Sequence, residues 1–338
     1  MVFLTRRFIN ASAPSQILHT LNKIEKQSAL KMRVGLQSSF PQEQSLNGSR
    51  LSFSSDSPPV LSSLKSPPTS RLAPPGHCQF GEEFEAATLV DRFEVSPSSG
   101  ILRFSLPDGT RPLNLSTCAC ILAKAKINGE EVIRPYTPIS TNALTGYMDL
   151  LVKNYFDKGT MSKFLHEVPV GSDQVSFKHV SFNVKIQAPF QQKRIVMVSG
   201  GSGITPMIQA LHSLLDNSAK GMPMDQKVTL LYGSQHSDDI LGRSLLDEWA
   251  ANHSDKFELV HVLSDEPKDS SWSGKRGMID QPLLQQYLPS PSIGEDVVVF
   301  ICGPLPMYKA ICGPRDDKET VGGILGDMGF SSQQVYKF

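Results

Sequence analysis

Residues 196–207 read VMVSGGSGITPM, an apolar run that breaks into three glycines and then a proline. Aligned on Gly201 and Gly203, the dinucleotide fingerprint G-x-G-x-x-G would need its third glycine at Pro206, so the fingerprint fails by one residue. Proline suits the first position of a helix, and Thr205 before it is an N-cap residue type. The longer stretch IVMVSGGSGITPMIQALHSLL (residues 195–215) therefore predicts a buried strand, a tight glycine loop and an amphipathic helix beginning at Pro206. Free backbone amides at the mouth of such a helix attract phosphate or a polar ring. A glycine turn that binds nothing is the alternative.

The rhythm on either side differs. From residue 191 to 338, strands and helices alternate: RIVMVSG, PMIQALHSLLDN, KVTLLYGS, LGRSLLDEWAANH with a start near Ile240, FELVHVLS, QPLLQQYL, DVVVFICG and PMYKAIC. This is the signature of a doubly wound α/β fold on a parallel sheet, whose ligands sit at the carboxyl ends of the strands. From 76 to 190, short runs such as FEAATLVDRFEVS, ILRFSLP, CACILAKAKING, YMDLLVKNYF and VSFKHVSFNVKI alternate with period two, with turn signals PDG and NGE between them. That pattern predicts an antiparallel β-barrel or sandwich.

Residues 1–75 stand apart, with fifteen serines and three PP pairs. They carry nine Lys or Arg against three Asp or Glu, in a chain of 338 residues whose net charge is zero. Such a segment buries too little apolar surface to order itself. Its basic, acid-poor composition, with Ile17, Leu18, Leu21 and Ile24 on one helical face, is that of a transit peptide. A linker or a surface-binding helix of a cytosolic protein, giving peripheral membrane association, is the alternative. The mitochondrion is the expected location, over the cytosol or a plastid. The remaining chain does not interleave basic and aromatic residues, so no nucleic-acid partner is expected. Five cysteines without a C-x-x-C pair and eight scattered histidines predict neither a disulfide framework nor a metal site. No apolar run approaches the roughly 18 residues of a membrane span.

Three further motifs follow the same order. RPYTPIS (residues 134–140) ends a barrel strand, KGTMSKFL (158–165) is a glycine turn opening a helix, and CGPLPM (302–307) ends the fourth strand of the parallel sheet. With the glycine loop they resemble the NADH-cytochrome b5 reductases, within the wider ferredoxin-NADP reductase group, from about residue 80 onward. The resemblance implies an FAD-binding antiparallel β-barrel domain followed by an NAD-binding doubly wound α/β domain. It also implies a reaction: a hydride passes from NADH to FAD, and single electrons pass on to a haem protein such as cytochrome b5. A reductase for another acceptor, such as a quinone, or a non-catalytic flavin-binding module are the alternatives, since fold alone does not prove activity.

The resemblance also assigns roles. Arg134 would offer its fork to the FAD pyrophosphate, Pro135 and Tyr136 would lie along the flavin and ribityl, and Thr137 would bond near the flavin N5 edge. Gly159, Thr160, Met161 and Ser162 would cradle the pyrophosphate. Lys153, Tyr155 and Phe156 match the family's VKVYF segment, with Asn154 a departure; core packing is the other reading of these three. Gly200, Gly201, Gly203, Thr205 and Pro206 would bring the backbone to NADH, with Thr205 facing nicotinamide and flavin. Cys302, Gly303, Pro304 and Met307 would wall the place where they meet; Thr137, Thr205 and Cys302 are the expected catalytic set. A buried, inert strand cysteine is the other reading of Cys302. Asp239 would accept from the adenosine ribose, or else cap the next helix, with Asp238 beside it. Lys124, Lys126 and Lys163 are the expected docking lysines for an acidic haem protein. LNLSTCACILAKA and KHVSFNVKI replace the family's usual Gly-Gln and G-P-x-G. The C-terminal stretch from Gly313 resembles the family's mitochondrial branch, whose fungal members carry a membrane span not expected here.

Overall fold

The computed structural model describes residues 68–69, 77–156, 159–180 and 185–338, all within one compact unit. The reading of residues 1–75 as a presequence falls outside the described residues except at Pro68 and Thr69. Pro68 is buried, and the Thr69 amide donates to Nδ1 of His212 at 3.2 Å. Burial pushes the His212 imidazole down to about 4, so it stays neutral there, edge-on to Trp249 at 4.8 Å.

Seven strands build the first half: β1 (Glu85–Ala87), β2 (Leu89–Ser96), β3 (Ser99–Ser105), β4 (Ile121–Ile127), β5 (Glu130–Tyr136), β6 (Tyr147–Lys153) and β7 (Val175–Lys178). They pair antiparallel in two sheets, ordered β1-β7-β4-β5 and β2-β3-β6. Alternation along β4 sends Ile121, Ala123 and Ala125 into a core shared with Leu102, Phe104, Met148, Leu150 and Phe177. The NG pair closes β4 on β5 as a two-residue hairpin: Asn128 and Gly129 have φ of 51° and 85°, the left-handed pair that a type I′ turn needs. The PDG signal makes no hairpin, because β3 pairs with β2 and β6 rather than with β4. Helix α1 (Met161–Glu167) docks on this core through Met161 and Leu165.

The second half is one parallel sheet of β8 (Arg194–Gly200), β9 (Lys227–Ser234), β10 (Phe257–Leu263), β11 (Lys275–Arg276), β12 (Val297–Cys302) and β13 (Val335–Lys337), ordered β11-β10-β9-β8-β12-β13. The helices are α2 (Ile204–Leu215), α3 (Arg243–Asn252), α4 (Gln281–Tyr287), α5 (Leu305–Cys312) and α6 (Gly323–Asp327). Apolar cores cover both faces of the sheet, which is why VVVFIC and RIVMV read as unbroken apolar runs. The edge strands β11 and β13 are too short to leave a periodic signal. Strand order reverses between β8 and β12, so the glycine loop and Cys302 stand on either side of the crevice where such sheets bind ligands.

Two helix starts differ from the expectation. A 3-10 turn over Gly201–Gly203 runs directly into α2, which begins at Ile204 rather than Pro206. Thr205 is therefore not the N-cap; its hydroxyl donates back to the Ser202 carbonyl at 3.3 Å. Pro206 still costs nothing, because the first four amides of a helix have no partner within it. Helix α3 begins at Arg243 behind Gly242 (φ 68°), so Asp239, which closes the 3-10 turn Ser237–Asp239, does not cap it.

Candidate active site

Arg134, Pro135 and Tyr136 end β5, the outer strand of its sheet, where Pro135 breaks no interior ladder, and Thr137 follows the strand. Arg134 and Tyr136 share one face of the strand and Pro135 the other. Arg134 is half-buried and donates from Nη1 to the Ile133 carbonyl at 2.7 Å. Burial raises the Tyr136 hydroxyl well above its ordinary range, while the nearby Arg134 charge opposes that.

Beyond β6, alternation stops and Phe156 takes φ 42°. Tyr155 and Phe156 are 45% and 54% exposed, so they are not core residues; two adjacent rings face outward beside Lys153, whose Nζ lies 5.8 Å from the Tyr155 ring. Thr160 precedes α1 without a side-chain cap, and no acidic residue occupies the first turn. A Cβ on Gly159 would fall 2.1 Å from Ser162 Oγ and 2.9 Å from Tyr155 Cβ, so only glycine lets the chain turn so closely beneath that hydroxyl. Met161 is buried and Ser162 half-buried.

Across the crevice, Gly200 packs on Pro304 and Met307, and Gly203 packs on the backbone of Cys302 and Gly303. Gly201 has φ 53° with open space over it, and its carbonyl accepts from the buried Tyr232 hydroxyl at 3.0 Å. Burial pushes the Cys302 thiol up to about 11, so at neutral pH it is a protonated, half-buried wall and not a nucleophile. Three groups of hydrogen bonds join the two halves here, beside an apolar contact in which Ile101, Ile139 and Leu151 share the core of α2. Cys118 Sγ donates to the Pro206 carbonyl at 3.2 Å. Gln209 Nε2 donates to the carbonyls of Pro138 at 2.6 Å and Ser140 at 2.7 Å. Lys153 Nζ meets Asp239 Oδ1 at 2.8 Å, and Ser98 Oγ in the β2–β3 turn donates to the same oxygen at 3.2 Å.

The uncapped turn at 159–162, the outward rings and the glycine backbone open above Gly201 suit one nucleotide carrying a flat ring on the barrel side and a second on the sheet side. Among the described residues, no group of three side chains is arranged to hold a metal, and none of the five cysteines is in a disulfide.

Residues 86–184 match the oxidoreductase FAD-binding domain family and residues 197–313 the oxidoreductase NAD-binding domain family. NADH-cytochrome b5 reductase 2 of Scheffersomyces stipitis is 37% identical over 263 residues, 76% of this chain and 84% of that one. The protein of the same name from Neurospora crassa is 39% identical over 251 residues, covering 72% and 70%. The chain belongs to the NADH-cytochrome b5 reductase family. The cytochrome b5 reductase domain of Ulva prolifera nitrate reductase, 26% identical, superposes with a TM-score of 0.64 over 80% of this chain and 100% of that domain. The order of an FAD-binding barrel before an NAD-binding parallel sheet is thus the family's own.

Within that family frame, the structure gathers Arg134, Tyr136, Lys153, Tyr155, Gly159 and Ser162 on the barrel side. It gathers Gly200, Gly201, Gly203, Thr205, Cys302, Gly303, Pro304 and Met307 on the sheet side. Asp239 differs from a free ribose acceptor, because its carboxylate is already paired with Lys153 of the barrel. Burial alone would raise that carboxyl, but the Lys153 bond and charge, with Ser98, outweigh it and hold it below the usual range. The docking lysines are only partly free. Lys124 pairs with Glu131 at 3.1 Å and lies 4.7 Å from the Phe84 ring, and Lys163 sits 3.9 Å from Glu167, while Lys126 is exposed. Sequence reasoning missed Gln209, Tyr232 and Ser98. Gln209 left one trace, a polar amide in a helix whose other residues are all buried.

Proposed function

We propose that this chain is an FAD-dependent reductase that takes a hydride from NADH and passes single electrons to cytochrome b5 or a similar haem protein. The observation that carries the reading is the meeting of RPYTPIS with the helix behind the glycine loop through Gln209, with the Cys118–Pro206 bond beside it. Bound FAD would accept two electrons at once and release them singly. Arg134 then binds pyrophosphate, Tyr155 and Phe156 shield the ring system from water, and Thr137 and Thr205 orient the two reacting rings. The Cys302 thiol fills the wall between them without exchanging a proton. The family's mitochondrial branch and the basic, serine-rich residues 1–75 support a mitochondrial protein, with peripheral membrane contact through that segment as the alternative.

The test is purified protein carrying flavin absorbance that NADH bleaches anaerobically and that cytochrome b5 restores by turnover. Protein that binds no FAD would put the non-catalytic alternative ahead, and bleaching without cytochrome b5 reduction would favour another acceptor. Arg134→Ala is expected to weaken FAD by about 1.5–3 kcal/mol, the worth of a charge-assisted hydrogen bond, read as flavin lost on dialysis. Full flavin occupancy in that variant would remove Arg134 from the pyrophosphate.

Asp239→Ala removes a carboxylate and releases the Lys153 ammonium at the same place. Both changes favour a 2′-phosphate, so the ratio of kcat/KM for NADPH to that for NADH is expected to rise by about tenfold, since like-charge juxtaposition costs up to several kcal/mol. An unchanged ratio would make the pair a strut between the two halves and nothing more.

A further inference from the structure

We infer that Gln209 is the positioning residue that sets the spacing between the flavin edge and the nicotinamide; the inference rests on the reading above. Its amide nitrogen has two N–H groups, and both are spent on the barrel, one on the Pro138 carbonyl at 2.6 Å and one on the Ser140 carbonyl at 2.7 Å. Pro138 follows Thr137 directly. The same short segment is held from its other side by β6: the Ile139 amide donates to the Asp149 carbonyl at 2.9 Å, and the Asp149 amide donates to Ser140 Oγ at 2.9 Å. Residues 138–140 are thus gripped between the strand of one domain and the helix of the other.

On α2, Gln209 stands four residues after Thr205, so the two share one helical face one turn apart. The helix that presents Thr205 to the nicotinamide therefore reads its distance from Thr137 through Gln209. The neighbouring Cys118–Pro206 contact is made by a thiol, a weak donor, and cannot replace a double amide bond. Neither cofactor needs this amide in order to bind. The FAD residues, Arg134 and 159–162, lie within the barrel half, and the glycine loop lies within the sheet half. Loss of Gln209 should leave two competent half-sites at the wrong separation. A misplacement of about 1 Å costs on the order of 100-fold in rate when two reactants must meet at van der Waals distance.

Gln209→Ala and Gln209→Met separate positioning from packing, because methionine keeps the length and volume while losing both donors. The expected result is that the limiting rate of anaerobic flavin bleaching at saturating NADH falls about tenfold or more in both variants. FAD affinity of the flavin-free protein and the dissociation constant for NADH should stay within about twofold, since neither ligand is bound by the amide. In flavin-free protein, the Ile139 amide should exchange its hydrogen faster than in the parent, a readout independent of turnover. Gln209→Glu should be slower still at neutral pH, where a carboxylate faces two carbonyls, and should recover part of the rate as acid restores one donor. If Gln209→Met bleaches at the parental rate, or if only NADH affinity falls while the limiting rate holds, the assignment is overturned. If the parental protein itself is not bleached by NADH, the functional reading fails instead, and the two failures are told apart by that control.

Discussion

Gly203→Ala is expected to lower Tm by roughly 6–12 °C, which corresponds to about 3 kcal/mol at 2–4 °C per kcal/mol for domains of this size. An added Cβ would sit 2.2 Å from the Cys302 carbonyl oxygen, 2.5 Å from its carbon and 2.8 Å from the Gly303 nitrogen. All three are backbone atoms at the end of β12, held in parallel register with β8 by the Cys302–Ser199 pairing. No side chain can swing away, so either the glycine loop or the strand end must move. Both carry the wall where nicotinamide meets flavin, and a shift of about 1 Å there should cut kcat/KM for NADH by about 100-fold. Gly201→Ala is the internal comparison. Its φ of 53° strains a side chain, but nothing lies within 4 Å of the added atom, so about 1–2 kcal/mol is expected and less loss of rate. A Gly203→Ala enzyme with parental Tm and NADH kinetics would mean that the close approach of β8 and β12 does not matter.

The same glycines explain what was legible in the sequence. Strand, glycine loop and helix around Gly200–Gly203 follow from local periodicity and from the few residues that turn tightly, and both are written in consecutive positions. The start of α2 was not legible, because a hydroxyl at Thr205 caps a helix only if Thr205 itself is extended. Here the 3-10 turn over Gly201–Gly203 has already begun the winding, and the hydroxyl bonds back into it. The exposure of Tyr155 and Phe156 was hidden for a similar reason. Alternation predicts facing only while the strand lasts, and β6 ends at Lys153. Asp239 was legible as a carboxylate after the second parallel strand, but its partner Lys153 lies 86 positions away in the other domain. Gln209 was hidden most deeply, since a lone amide in an otherwise buried helix does not say which carbonyls it will meet. Contacts between the halves, like the core that Ile101, Ile139 and Leu151 share with α2, join residues far apart in the chain, and no window of sequence records them.

Asp149→Ala is the second large effect expected, and it concerns how the RPYTPIS segment is supported. Asp149 on β6 and Arg103 on β3 are register partners, and the guanidinium meets the carboxylate through two bonds, Nε to Oδ1 at 2.7 Å and Nη2 to Oδ2 at 2.8 Å. The Asp149 side chain is 1% exposed and that of Arg103 18%. The carboxylate bond is the main reason that the Arg103 guanidinium is held even more firmly charged than usual. Two rings, Phe93 and Tyr147, lie 5.9 and 6.0 Å from the same guanidinium and offer it only their faces. Removing the carboxylate leaves the guanidinium only the unbonded Asp91 across the β2–β3 pairing, and breaking a buried pair costs about 3–5 kcal/mol, here about 3 because Arg103 retains some water. The backbone of Asp149 also holds Ile139 and Ser140, so relaxation of β6 would loosen the segment that Gln209 grips. Asp149→Ala should therefore lower Tm by roughly 6–12 °C, while an Arg103→Met, Asp149→Leu double variant should regain most of the lost stability, because a well-packed apolar pair often replaces a buried ion pair at little cost. A double variant no more stable than Asp149→Ala alone would show that the cost lies in the packing of β6 and not in the stranded charge.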